Sequence, residues 1–170
     1  MKVTIITREY PPNVYGGAGV HAQNLSQELS KLMEVEVRCF GNQDWQKNNL
    51  RVKGYKPLEK LKEIPDKKFV PALDTLSTDL SILKDRIDSA VVHTHTWYAS
   101  FAGYLAKMLY GIPLVVTCHS LEPLRPWKLD QLGRGYYLST WVEKLAIESA
   151  DKIVAVSQMM KEDIMKYFNV

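Results

Sequence analysis

Five short runs of apolar, mostly β-branched residues recur along the chain, at 3–7, 35–40, 90–95, 114–119 and 152–157. They read as continuously apolar rather than alternating, which a parallel sheet covered on both faces requires. The intervening stretches 19–33, 73–87, 97–109, 136–149 and 158–168 repeat apolar residues three and four apart, as at Leu25, Leu29 and Leu32, the spacing of a helix face. Gly111 follows Tyr110 where a helix C-cap glycine belongs. Strand and helix alternating in this order predict an α/β, three-layer Rossmann-like domain with a mainly parallel sheet. With 170 residues the chain is long enough for one such core and too short for two.

The break in this alternation is 41–70, long, polar and Lys-rich, where only an irregular strand near 50–55 is expected. Within it, 47–68 carries eight Lys or Arg against three acids, while the whole chain has a net charge of +3. A basic, Pro-containing stretch of this kind reads first as a solvated loop. Its single aromatic residue, Tyr55, offers no stacking platform, so nucleic-acid binding is not expected. There is no secretory leader and no apolar run of membrane-spanning length, so membrane association is not expected either. Cys39 and Cys118 lie far apart, each inside an apolar run, and read as buried reduced thiols of a cytoplasmic protein.

In an open parallel sheet, ligands bind beyond the carboxyl ends of the strands, so the loops there are the informative ones. The first runs from Arg8 through Pro11 and Pro12 to Gly16, Gly17 and Gly19, opening onto a helix whose free N–H groups favour a phosphate or diphosphate. Gly17 to Ala22 also satisfies the loose pattern G-x-G-x-x-G/A of dinucleotide sites. The fit is poor, because about eight residues separate Thr7 from Gly16 and no acid ends the second apolar run. Glycines that merely turn the chain are the plainer alternative.

The second loop carries His93, His95, Thr96, Trp97 and Tyr98. His93 and His95 share one side of a strand, but no third ligand has diagnostic spacing, so a metal site is not expected. Thr96 suits an N-cap. The third loop runs from His119 to Lys128, and His119 faces the crevice, where it can hydrogen-bond a sugar hydroxyl or stabilise developing charge. Arg125 and Lys128 beside Trp127 suit a sugar phosphate or a glucan. A Pro-stiffened surface loop is the plainer reading here.

Taken together these residues resemble glycosyltransferases of the two-domain GT-B type, and more closely the actinobacterial-type glycogen synthases grouped with maltose-1-phosphate synthases. The resemblance rests on Thr7 to Pro12, Val14 to His21, His93 to Tyr98, His119 to Lys128 and Trp141-Val142-Glu143, in order along nearly the whole chain. It implies that 1–170 is the N-terminal, acceptor-side half of a GT-B fold, with the C-terminal nucleotide-sugar domain absent from this chain. The implied reaction is a retaining transfer of glucose from ADP-glucose, or UDP-glucose, to an α-1,4-glucan or glucose 1-phosphate. Neither metal nor cofactor is implied.

The resemblance places Gly16 and Gly17 by the donor diphosphate and His119 by the transferred glucose. Tyr98, Arg125 and Lys128 are candidate acceptor contacts. Ordinary bacterial glycogen synthases resemble Lys-x-Gly-Gly and His-x-His-Asp-Trp where this chain has Tyr15-Gly16-Gly17 and Thr96, so those Lys and Asp roles do not carry over. The second domain supplies most of the donor site, so the isolated chain is expected to fold without transferring glucose. A non-catalytic carbohydrate-binding module and a dinucleotide-dependent oxidoreductase remain the competing expectations.

Overall fold

The computed structural model describes residues 1–58 and 67–170. Seven strands form one sheet: β1 (Lys2–Thr7), β2 (Glu34–Phe40), β3 (Asp44–Lys47), β4 (Leu50–Tyr55), β5 (Val91–His95), β6 (Leu114–Cys118) and β7 (Lys152–Ala155). Their order is β3-β4-β2-β1-β5-β6-β7, and all neighbours are parallel except β3 with β4. Six α-helices accompany them: α1 (Gly17–Ser30), α2 (Val70–Ile82), α3 (Trp97–Tyr110), α4 (Lys128–Leu132), α5 (Gly135–Ser149) and α6 (Gln158–Tyr167). Without β3, the parallel strands run third, second, first, fourth, fifth, sixth. The chain therefore reverses direction between β1 and β5, which is where a doubly wound sheet opens its crevice.

Side-chain alternation along each strand divides the core in two. Val3 and Ile5 of β1, Val35 and Val37 of β2, and Leu50 and Val52 of β4 point to one face, where Leu25 and Leu29 of α1 cover them. Ile6, Val92, Leu114 and Val116 belong to the other core, packed with Ala99, Ala102 and Ala106 of α3 and Ile147 of α5. Small residues on α3 let it lie close to the strands: a Cβ on Gly103 would come within 2.3 Å of Thr94 Cγ2. Each large aliphatic side chain buried this way contributes about 1.5–3 kcal/mol.

Arg38 breaks the apolar pattern of β2 and is nonetheless 2 % exposed. Its guanidinium donates to Glu36 (2.9 Å) and to the carbonyls of Ile82 (2.9 Å), Asp85 (2.6 Å) and Arg86 (2.8 Å). The last carbonyl of α2 and two carbonyls of the turn after it are thereby satisfied, and a cation sits at the helix's negative end. This is where α2 stops, five residues short of the expected 87, and with Pro71 in its first turn it begins at Val70 rather than 73.

Other departures are local. The stretch near 50–55 is a regular parallel strand with Leu50, Val52 and Tyr55 buried, so part of the expected solvated loop lies in the sheet. β3 and the short α4 were not expected. The strand expected over 152–157 ends at Ala155, and the Ser157 hydroxyl accepts the Met160 N–H (3.1 Å) to cap α6. The part of the Lys-rich segment at 59–66 lies outside the described residues. Cys39 and Cys118 are buried free thiols, with burial pushing both up to about 12. Among the described residues no helix is long and apolar enough to cross a membrane.

Candidate functional site

The loops after β1, β5 and β6 converge at the switch point. They enclose a crevice of about 390 Å³ lined by Glu9, Gly16, Gly17, Tyr98, His119 and Arg125, among others. Gly16, Gly17, Tyr98, Arg125 and His119, five of the six expected site residues, thus meet in one place although they span more than a hundred positions of sequence.

The glycine loop is held by a residue the sequence reading did not single out. Glu9 Oε2 accepts the backbone N–H groups of Tyr15 (3.1 Å) and Gly16 (2.7 Å), so the Gly16 N–H is already committed. No side chain caps the N-terminus of α1. Close approach explains one glycine directly: a Cβ on Gly19 would lie 2.7 Å from Glu9 Cβ and 3.0 Å from Val14 Cγ1. A Cβ on Gly17 would meet nothing within 4 Å, so packing does not require that glycine.

All four histidines of the chain gather beside the crevice. His21 from α1 lies against His95 and His119, with ring centroids 5.3 and 5.1 Å apart, and His93 lies 4.5 Å from His95. Pairing in the sheet sets His95 opposite Thr7 and Thr117, and His93 Nε2 lies 2.7 Å from the Thr117 hydroxyl. His95 Nδ1 and His119 Nε2 are 3.1 Å apart, while His95 Nε2 is buried with no partner. Leaving a bare ring nitrogen there costs less than leaving a buried N–H unpaired. The favoured arrangement therefore has His95 Nδ1–H donating to His119 Nε2, which leaves His119 its own N–H at Nδ1.

Burial, reinforced by the neighbouring imidazoles, lowers His93 and His119 to about 4 and His95 well below its usual range. His93, His95 and His119 are therefore neutral near pH 7 and offer hydrogen bonds rather than charge. Among the described residues no group of His, Cys, Asp or Glu has the geometry to hold a metal ion.

Thr96 occupies the N-cap position of α3, but its hydroxyl makes no capping bond and its φ is +67°. For a β-branched residue that conformation costs of order 1–3 kcal/mol, and it is fixed on the crevice wall.

The cations of the third loop part company. Arg125 lines the crevice. Lys128 is 8 % exposed, and its ammonium is bonded to the fully buried Glu122 (2.5 Å), with the Tyr98 ring 5.5 Å away. Glu122 also accepts from the Ser139 hydroxyl (2.6 Å), and its backbone N–H donates to Glu143 (2.6 Å). Burial raises Glu143 to about 8. Lys128 thus braces the loop from behind, and Trp127, which the sequence places beside it, is more than half exposed.

The residue matching that the spacing did not flag is Arg8. Its guanidinium lies 4.2 Å from the Tyr98 ring centroid and 5.8 Å from that of Tyr15. Its place directly after β1, at the switch point, was the available signal. At the carboxyl end of β2 stand Cys39 and Phe40, not the acid that a dinucleotide ribose needs.

Comparison with known proteins agrees with this geometry. Residues 15–170 match the family described as Glycosyltransferase Family 4. The chain is 46% identical over 168 residues to the alpha-maltose-1-phosphate synthase of Mycolicibacterium smegmatis, covering 99% of this chain and 41% of that protein. It is 25% identical to the glycogen synthase of Mycobacterium tuberculosis, over 99% of this chain and 45% of that one. The chain therefore spans less than half the length of the curated relatives it matches. Among solved structures, sucrose-phosphate synthase from Thermosynechococcus elongatus superposes with a TM-score of 0.73 at 15% identity, over 99% of this chain and 45% of that one.

Proposed function

The chain belongs to glycosyltransferase family 4 and has the fold of the N-terminal half of a GT-B enzyme, and on that premise we propose that it is the acceptor-side domain of a retaining glucosyltransferase. The transfer we propose carries glucose from ADP-glucose, or UDP-glucose, to glucose 1-phosphate or an α-1,4-glucan. Glucose 1-phosphate is favoured because the identity to alpha-maltose-1-phosphate synthase is 46% and to glycogen synthase 25%. The observation that carries the reading is the convergence of Gly16, Gly17 and His119 on one crevice at the sheet's switch point.

In this reading the leaving diphosphate lies along Gly17 at the uncapped start of α1. Glu9 stands beside that position, so a diphosphate there needs cations from a second domain, the covalently linked nucleotide-sugar half. This is why the isolated chain is proposed to be inactive. His119, neutral at physiological pH, donates a hydrogen bond to a hydroxyl of the glucose and strengthens it as positive charge develops on the ring. Glu9 Oε2 is spent on two backbone N–H groups and orients the loop rather than attacking the sugar. Catalysis then comes from placement and charge stabilisation.

The test gives the full-length gene product ADP-glucose with glucose 1-phosphate and glycogen in competition, and resolves the products by mass. Maltose 1-phosphate is the expected product. Elongated glucan alone moves the protein to the glycogen-synthase side, and no transfer to either acceptor leaves a carbohydrate-binding module. In the same protein His119→Ala should lower kcat by about 10²–10³ while the fold is kept, with a loss of about 1–3 kcal/mol from the His95 N–H left without its acceptor. Loss of folding in that variant would make His119 a core residue instead.

A further inference from the structure

Arg8, Arg38, Arg125 and Lys128 differ in how far their charge and donors are already used. Arg38 spends its guanidinium on Glu36 and three carbonyls, and the Lys128 ammonium is ion-paired with the buried Glu122 carboxylate. The side chains of Arg8 and Arg125 make no hydrogen bond or ion pair with any described residue, although the Arg125 backbone N–H donates to the Glu122 carbonyl. Glu9, next to Arg8 in sequence, is turned away onto the Tyr15 and Gly16 N–H groups and leaves Arg8 unneutralised.

The way Arg8 is held matters. A guanidinium packed by its face against a ring keeps its N–H edge free, and that edge matches a phosphate with two parallel bonds. The Arg8 guanidinium carbon lies over the Tyr98 ring, 4.2 Å from its centroid, and 5.8 Å from the centroid of Tyr15. Tyr15 and Tyr98 both line the crevice, so Arg8 lies against two residues of its wall. Sheet pairing fixes the base of this side chain, since Thr7 of β1 sits opposite His95 of β5.

Resting on the transfer reading above, we propose that Arg8, stacked on Tyr98, binds the phosphate of a sugar-phosphate acceptor and makes the site prefer that acceptor to an unphosphorylated glucan. The charge of Lys128, by contrast, is already balanced by its buried pairing with Glu122. Arg125 lines the same crevice and is positioned to share the phosphate.

The test compares wild type, Arg8→Gln and Arg8→Lys in the full-length protein with ADP-glucose as donor. Arg8→Gln should raise KM for glucose 1-phosphate by about 10–100-fold, the loss expected for a charged hydrogen-bonded contact. KM for ADP-glucose and the rate of glycogen elongation should stay within about threefold, a margin of well under 1 kcal/mol. Arg8→Lys, which keeps the charge and loses the planar fork, should fall between.

An increase confined to KM for ADP-glucose would overturn the proposal by placing Arg8 on the donor. An equal fall with both acceptors would overturn it by making Arg8 structural. Binding is read separately from turnover through broadening of the ³¹P resonance of glucose 1-phosphate. Broadening by wild type and not by Arg8→Gln supports the proposal even if no maltose 1-phosphate forms, and equal broadening by both proteins overturns it.

Discussion

Arg38 and Arg8 are two residues of the same kind set by adjacent strands, one inside the sheet and one at its rim. Arg38 lies mid-strand in β2 with four hydrogen bonds from one guanidinium, and it closes off the end of α2. Arg8 lies one residue past β1 and is held by aromatic faces alone. The difference teaches how one domain uses charge for two ends. A buried cation with its donors consumed contributes architecture and has nothing left for a ligand, whereas a stacked cation with its donors idle contributes little to folding and is ready for an anion. Lys128 falls with Arg38 and Arg125 with Arg8, so the contrast extends to the loop after β6.

Arg38→Met should break the structural side most severely. It leaves three carbonyls unpaired and Glu36 with Lys2 as its one remaining cation, and a loss of about 3–5 kcal/mol in urea unfolding is expected. Lys128→Met should cost about 3 kcal/mol by leaving Glu122 charged and unpaired, and Glu122→Gln in the same chain should recover most of that loss. A Lys128→Met protein as stable as wild type would return that lysine to the ligand-binding group. Arg8→Gln, by contrast, should change stability by under about 1 kcal/mol, the worth of an exposed cation–π contact.

The histidine cluster gives an effect confined to a definite pH window. His93 titrates near 6.5 when unfolded and near 4 when folded, so the unfolded chain binds the proton first as pH falls. Its contribution is complete above about pH 6.5 and is lost progressively toward pH 4, up to about 3 kcal/mol for a shift of this size. His93→Asn should flatten that limb of the stability curve. Glu143 acts in the opposite sense: raised from 4.5 to about 8, it costs stability as pH climbs between those values, and Glu143→Gln should flatten the stability curve across that range.

The smallest expected change in stability is at Gly17. Gly17→Ala should fold like wild type, because its Cβ meets nothing, and should weaken the nucleotide sugar in the full-length enzyme if the diphosphate lies there. Gly19→Ala should destabilise through the clash with Glu9 and Val14.

Much of this arrangement was readable in the sequence because it follows from periodicity and from position relative to strand ends. The apolar runs marked β1, β2, β5, β6 and β7, and looking just beyond them found Gly16, Gly17, Tyr98, His119 and Arg125. β3 left no such trace, since all four of its residues are exposed and nothing forces an alternation. The roles of Lys128 and Arg38 were invisible for another reason. What consumes their donors lies elsewhere in the chain, at Glu122 and at the Ile82, Asp85 and Arg86 carbonyls, and only the fold brings those partners near. Glu9 and Arg8 are neighbours in sequence, yet nothing local says that one turns to the backbone and the other to a ring.

Thr96 carries a consequence for anyone engineering this domain for heat tolerance. Its backbone sits where glycine is at ease and threonine is not, so a Thr96→Gly change offers relief of the strain against the flexibility it adds to the unfolded chain. A selection for thermal resilience alone would readily sample that substitution. It would also loosen the crevice wall from which α3 departs with Tyr98 in its first turn, trading a rigid seat for Arg8 and the acceptor against a few degrees of melting temperature.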